Sequence, residues 1–519
     1  MLLFELVIAL LLAGAILSAW ARRISVPYPA LLALAGAGLA LLPHAPRVML
    51  DPDLALALFV APVLLDAAFD SSPRDLKRYW RAVVGLAVAL VAATIVAVAL
   101  VARWCVPDLP WSAAIALGAI VAPPDAAAAT AVLKQMRPPH RLLVILEGES
   151  LFNDASALLV YRLAVVAAVA GTFSPLSAIP LLAVVSVGSV LVGLALSRLM
   201  LLAVARVSDV ATSVIIQFVG TFAVWILAER LRLSGIITIV TFAIATARSS
   251  PAQMPARLRI PSYAVWEVVV FVLNVLAFIL VGLQLGPILQ RLDRPHLLDY
   301  LVTPAAVCAV VMIVRMLWAL AYALAEYSPR RQPLPRSAPS DSFRSAIAIG
   351  WSGMRGIVTL AAGLALPATF PGRDLVLFSA FCVVLVTLVL QGGTLAPLMR
   401  LLGLRDDGAV EGEIRRARAE TARAGLEALR GTPEDGMTAL LVRKYERRVR
   451  DANRSAPVAA GDVEGAPVYA DALRRAYDAE RRKLIELRDS GAIGDDAFHR
   501  VEEELDWADM HAQAQTGTA

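Results

Sequence analysis

Nine ionisable side chains stand within or beside long apolar runs of this sequence: Asp66, Asp125, Glu147, Glu149, Asp154, Arg162, Glu267, Arg315 and Arg355. Charge inside lipid is expensive, so such residues mark either an ion path or each other's partners. The acidic ones concentrate in three runs, a set suited to cations or protons. In Leu146-Glu147-Gly148-Glu149-Ser150-Leu151-Phe152-Asn153-Asp154, a helical step of about 100° per residue sorts the polar groups onto two faces. One face carries Ser150 and Asp154, four residues apart, whose hard oxygens suit a small monovalent cation. The other carries Glu149 and Asn153, with Glu149 placed for an arginine of another helix. Two roles stay open for Asp154: ion binding, or a buried salt bridge with Arg315 or Arg355.

Two of the runs that must position these groups cannot be continuous helices. Pro123 and Pro124 in Val121-Ala122-Pro123-Pro124-Asp125 remove backbone donors in mid-run and interrupt the helix. Three glycines do the same in Gly350-Trp351-Ser352-Gly353-Met354-Arg355-Gly356. Interrupted helices in corresponding parts of two halves point to a secondary transporter of inverted repeats, with its site where the breaks cross. The plainer reading is that small residues merely let helices pack closely.

The chain has 519 residues, of which 59% are hydrophobic and 18% charged, against about 45–50% and about 25% in ordinary soluble domains. Apolar runs of spanning length fall at 2–20, 28–43, 54–70, 82–102, 111–133, 142–169, 177–203, 211–228, 233–247, 264–289, 299–324, 345–366 and 375–399. They predict an all-α polytopic membrane protein of about 13 transmembrane helices in contact with lipid. One alternate set of connections holds eighteen Arg and Lys residues, from Arg22 through Arg344. The other holds seven: Arg47, Arg103, Arg230, Arg232, Arg291, Arg294 and Arg373. The excess puts the N-terminus outside and the C-terminus in the cytoplasm. The basic residues therefore have a reason to be basic other than nucleic acid, and the net charge of +5 does not argue for that partner. The first run lacks the basic start of a signal peptide and is expected to stay.

Three cysteines without C-x-x-C spacing support neither a disulfide framework nor a zinc site. Of the five histidines, three fall in short connections and two in the polar tail, so no cofactor is expected. Residues 1–404 read as a transmembrane domain and 405–519 as a cytoplasmic helical tail. Leu473, Tyr477, Leu484, Leu487 and Ile493 among charges predict two amphipathic helices joined near Gly491, serving packing or dimer support. Arg450–Gly465 reads as a linker.

The run from Glu147 to Asp154 resembles the signature of the sodium/proton exchangers of the first monovalent cation:proton antiporter family. Val63-Leu64-Leu65-Asp66-Ala67, Trp266-Glu267 with Gly282-Leu283-Gln284, and Trp351 to Gly356 resemble further segments of that family. The resemblance spans nearly all of residues 1–400 and implies a thirteen-helix homodimer whose core domain moves by elevator-like alternating access. It implies that Asp154 binds the cation and the counter-transported proton, with Ser150 and Asp66 adding oxygens. Asn153 holds the core helices in register, Glu149 pairs with Arg355, and Arg315 plays a related structural role. Asp125 belongs to the same core. Pro124-Asp125-Ala126 stands where many relatives have Thr-Asp-Pro, which loses a hydroxyl beside the ion and leaves only the Pro124 carbonyl.

These readings converge on an electroneutral Na⁺/H⁺ antiporter of the cell membrane, serving pH and sodium homeostasis, with monovalent cations and protons as substrates. A K⁺/H⁺ or mixed-cation antiporter on the same scaffold is the alternative, and a cation pore is a third possibility. No Walker run, metal-binding histidine pair or G-x-S-x-G elbow supports an enzyme.

Overall fold

Lipid offers the backbone no hydrogen-bond partners, so a spanning segment must close its own bonds as helix. All thirteen apolar runs fall on helical segments, and among the described residues every regular element is helical. The computed structural model describes residues 2–24, 27–43, 51–136, 138–170, 175–290, 297–326, 339–404, 406–430, 436–451 and 467–516.

The chain opens with α1 (Leu2–Ile24) and α2 (Tyr28–Ala40). Next come α3 (Pro52–Ala55) and α4 (Ala61–Asp70), joined by a π-helical turn at Leu56–Val60, and then the short α5 (Pro73–Arg78). A second π-helical turn, Gly85–Leu90, joins α6 (Trp80–Val84) to α7 (Val91–Cys105). The proline-broken run is α8 (Trp111–Val121) and α9 (Ala126–Met136), followed by α10 (His140–Ala170). Then come α11 (Pro175–Val204), α12 (Val210–Arg230), α13 (Gly235–Gln253), α14 (Ala256–Leu283), α15 (Leu285–Leu289) and α16 (Leu297–Glu326). The glycine-broken run is α17 (Pro339–Trp351) and α18 (Ile357–Leu364). The last run is α19 (Arg373–Val386), a π-helical turn at Thr387–Gln391, and α20 (Gly392–Leu402). Among the described residues, eight helical stretches are long and apolar enough to cross a membrane, with shorter apolar helices at Tyr28–Ala40, Trp111–Val121 and Gly235–Ser249.

The helices form two bundles. In the first, α8 packs on α7 and α10, and α16 on α7, α17 and α19, with α18 against α19. In the second, α2 packs on α14, α11 on α13, and α4 on α13, with α1 against α2 and α14. The α2–α14 contact is backbone to backbone: a Cβ on Gly36 would overlap the Ile279 carbonyl, and one on Gly282 the Ala33 carbonyl. Small residues serve this way where lipid removes the usual apolar drive for helices to associate. Phe4, Ile8, Leu12 and Ile16 of α1 point outward and stay exposed, a surface that fits an apolar solvent.

Beyond residue 404 the described residues hold α21 (Ala409–Ala428) and α22 (Gly436–Asp451), and then, where two amphipathic helices joined near Gly491 were expected, α23 (Pro467–Asp489) and α24 (Asp495–Thr516). The reversal between α23 and α24 uses Gly491 at φ +72°, a left-handed conformation that glycine adopts without penalty. Leu484, Leu487 and Ile493 pack with Ile414 and Phe498, and Tyr477 with Leu429, Leu441 and Tyr445. The side chain of Leu473 lies outside the described residues. So does the expected linker beyond Asp451, whereas Arg450 and Asp451 end α22.

Candidate functional site

The two broken runs cross. Residues 122–125 and 352–356 are non-helical, and the amide of Asp125 donates to the Met354 carbonyl at 2.6 Å. Each break leaves a helix C-terminus with unpaired carbonyls and an N-terminus with unpaired amides, carrying partial negative and positive charge respectively. The C-termini meet arginines. Arg355 donates through Nε to Val121 O at 3.0 Å and through Nη2 to Ala122 O at 3.2 Å, both at the end of α8, and through Nη1 to Gly353 O. Arg315 donates through Nε to Ile349 O near the end of α17, at 3.1 Å. The N-termini share a carboxylate: Asp125 directly precedes α9 and lies over Gly356, the residue before α18, so closely that a Cβ there would overlap its carboxylate.

Glu149 pairs with Arg315, not with Arg355 as the resemblance implied. The pair is bidentate, with Arg315 Nη2 at 2.8 Å from Glu149 Oε2 and Nη1 on Oε1, and both side chains are 1% exposed. The reason lies in the crossing, because the broken end of α8 needs donors and the Arg355 guanidinium supplies them. Asn153, which the resemblance gives the role of holding the core helices in register, is fully buried and donates from Nδ2 to the Pro124 carbonyl at 3.1 Å. It faces the break rather than the cavity, tying α10 to the crossing. The Pro124 carbonyl is thereby engaged, with one lone pair left over. Arg162 is exposed and pairs with Glu229 at 2.9 Å, away from the crossing.

With both arginines occupied, the salt bridge considered for Asp154 does not form. Asp154 is buried, and among the described residues no cation pairs with it. It lines a cavity of about 250 Å³ between the two bundles. Ser150, Asp125 and Pro124 join it from the first bundle, and Asp66 and Asn274 from the second side. The cavity shares Tyr28, Asp66, Asp70 and Asn274 with a wider one of about 810 Å³, which Phe69, Tyr263, Trp266 and Glu267 also line.

Glu147, one of the nine ionisable residues of the apolar runs but given no role at the site, and Asp70, which the sequence reading does not name, line the cavity too. The signal was available for both. Glu147 falls within about 60° of Ser150 and Asp154 on the helical wheel, and Asp70 follows Asp66 by one turn. Tyr28 and Asn274 left no such trace, since each reaches the site only through the packing of α2 on α14.

A helical membrane protein with two crossed breaks beside a buried acidic cavity is a transporter of the cation/proton antiport class. Residues 7–401 match the family model of the sodium/hydrogen exchanger transmembrane region, and the chain belongs to that family. It is similar to an uncharacterised sodium/proton exchanger of Mycobacterium tuberculosis, 29% identical over 97% of this chain and 96% of that one. It is also similar to a sodium, potassium, lithium and rubidium/proton antiporter of Bacillus pumilus, 29% identical over 83% of this chain and 66% of that one. Its fold matches that of the sodium/proton antiporter MjNhaP1 from Methanocaldococcus jannaschii. That match has a TM-score of 0.60 at 18% identity and covers 78% of this chain and 98% of the other.

Proposed function

We propose that the chain exchanges one Na⁺ for one H⁺, with both competing for the carboxylate of Asp154. The observation that supports this most is that Asp154 is buried on a cavity wall while the buried arginines Arg315 and Arg355 are committed elsewhere. A carboxylate held that way must be neutralised by something mobile, a proton or a cation, because an isolated buried charge is too costly. Ser150 and Asp66 add oxygen ligands. Asn153, Glu149, Arg315, Arg355 and Asp125 keep the crossing rigid around them. Thirteen crossings, an outside N-terminus, a cytoplasmic tail, residence in the cell membrane and assembly as a homodimer complete the reading, with the first bundle moving against the second.

Competition has a quantitative consequence. Where the empty site is protonated, each unit of falling pH should raise the apparent Na⁺ constant about tenfold, with little change in the saturated rate. Proton flux in vesicles titrated with Na⁺ at several pH values measures this, and a constant independent of pH rejects competition.

Position 153 is asparagine, so only Asp154 of this neighbouring pair exchanges charge. One Na⁺ for one H⁺ then moves no net charge, whereas a net elementary charge would gain ~2.3 kcal/mol per 100 mV. The steady-state Na⁺ gradient should stay unchanged when valinomycin and potassium set the voltage. A gradient that follows voltage would identify Asp66 as a second proton carrier.

The second reading is a mixed-cation exchanger. It is favoured by Pro124, where the family resemblance implies a threonine, and by a relative whose name includes potassium, lithium and rubidium. Stepping Li⁺, Na⁺ and K⁺ through the same flux measurement separates the two.

A further inference from the structure

The tail grips both bundles, and it grips them differently. On the second bundle, Arg259 of α14 is 1% exposed and donates to Asp506 of α24, through Nε at 2.8 Å and through Nη2. Its Nη1 lies 3.1 Å from Glu502, itself 4% exposed. Arg488 adds a bond from Nη1 to the Ala247 carbonyl of α13 at 3.1 Å. Against Phe69, which lines the wide cavity, the ring of His499 stacks at 6.2 Å between centroids.

On the first bundle the contacts are partly open to solvent. Arg74, beside Asp75 on α5, which packs on α10 of that bundle, pairs with Glu413 of α21 at 2.8 Å, with the two side chains 25% and 28% exposed. His140, which starts α10 and lies 3.3 Å from Asp75, meets Asp496 of α24 at 3.2 Å, and Asp496 is 54% exposed. The Gly494 amide donates to Glu413 at 2.6 Å, and a Cβ on Gly494 would stand 2.7 Å from the Arg74 guanidinium.

We propose that the α21–α24 tail is a strap, anchored on the second bundle through Arg259 and releasably clipped to the first through Glu413 and Asp496, which brakes movement of one bundle against the other. The inference rests on the exchange reading above. A folded unit bonded to both bundles opposes their relative movement, and the contact that yields is the weaker one. Buried charge pairs are strongly destabilised by losing a partner, whereas solvent-exposed pairs contribute little and are screened by salt. The clip on the first bundle therefore opens as ionic strength rises, while the anchor holds.

Two sets of full-length variants in vesicles test this. Glu413→Gln with Asp496→Asn, and separately Gly494→Leu, which wedges the clip apart without removing a charge, should each raise the initial exchange rate about threefold at low salt. The gain should vanish at high salt. In a background of Cys105→Ala, Cys308→Ala and Cys382→Ala, a bis-methanethiosulfonate joining Arg74→Cys to Glu413→Cys should arrest exchange until reductant cleaves it. The same reagent joining Arg248→Cys to Asp489→Cys, an exposed tail contact on the second bundle at 4.0 Å, should leave the rate unchanged. Unaltered rates in the clip variants overturn the strap. So do full activity in quantitatively joined Arg74–Glu413 protein and arrest by the Arg248–Asp489 link. Exchange by the unmodified chain reports separately on the reading beneath it.

Discussion

Asp154→Asn protein, reconstituted in vesicles, exchanges no sodium for protons while inserting and unfolding as the unsubstituted chain does. The substitution keeps the volume of the side chain and its place on α10, and it removes both the anionic ligand and the group that carries the proton. Glu149, on the opposite face of α10, does not take over, because it is fixed by Arg315. Among the described residues no ion pair is lost with the charge of Asp154, so stability should hold or rise. A sodium-driven pH change read with an internal dye, beside a melting curve in detergent, gives both numbers. Exchange at the unsubstituted rate removes Asp154 from the mechanism.

The largest expected loss of stability belongs to Arg315→Met. It strands the Glu149 carboxylate, 1% exposed, and a buried pair broken from one side costs about 3–5 kcal/mol. Glu149→Met alone should cost a similar amount by stranding the guanidinium. The double variant should recover most of the loss, since apolar replacement of a whole buried pair is often neutral. Pairing Glu149→Met with Arg355→Met should give additive losses instead, because Arg355 serves the carbonyls of Val121 and Ala122. The two coupling energies come from thermal unfolding of the single and double variants in detergent. Strong coupling of Glu149 to Arg355 with none to Arg315 contradicts the arrangement described here.

Much of this molecule was legible in its sequence because the constraint was local. Lipid forces an apolar run to close its own hydrogen bonds, so run length and helix coincide from Leu2 to Leu402. Proline and glycine act on the backbone they belong to, which is why both breaks fall where Pro123-Pro124 and Gly353 to Gly356 put them. The helical wheel likewise separates Glu149 and Asn153 from Ser150 and Asp154 without any tertiary contact, and the cavity lies on the face with Ser150 and Asp154.

The choice of partners across the fold was a different matter. Glu149 and Arg315 are 166 residues apart, and a carboxylate on α10 can be satisfied by any guanidinium the packing brings near. The wheel says only which way Glu149 points. That Arg315 reaches it depends on where α16 stands against α17 and on how many carbonyls the broken end of α8 leaves for Arg355. The tail shows the same division. Its amphipathic pattern, read along α23 and α24, requires a core for those helices, but the pattern is silent about the charged faces turned outward. Only the assembled structure places Arg259 opposite Asp506 and Glu502, and Arg74 opposite Glu413. The sequence thus determined helices, breaks and faces, each set within a few turns of chain by solvent and backbone geometry. The tertiary structure decided which charges meet, because long-range pairing is fixed by helix positions that no single segment encodes.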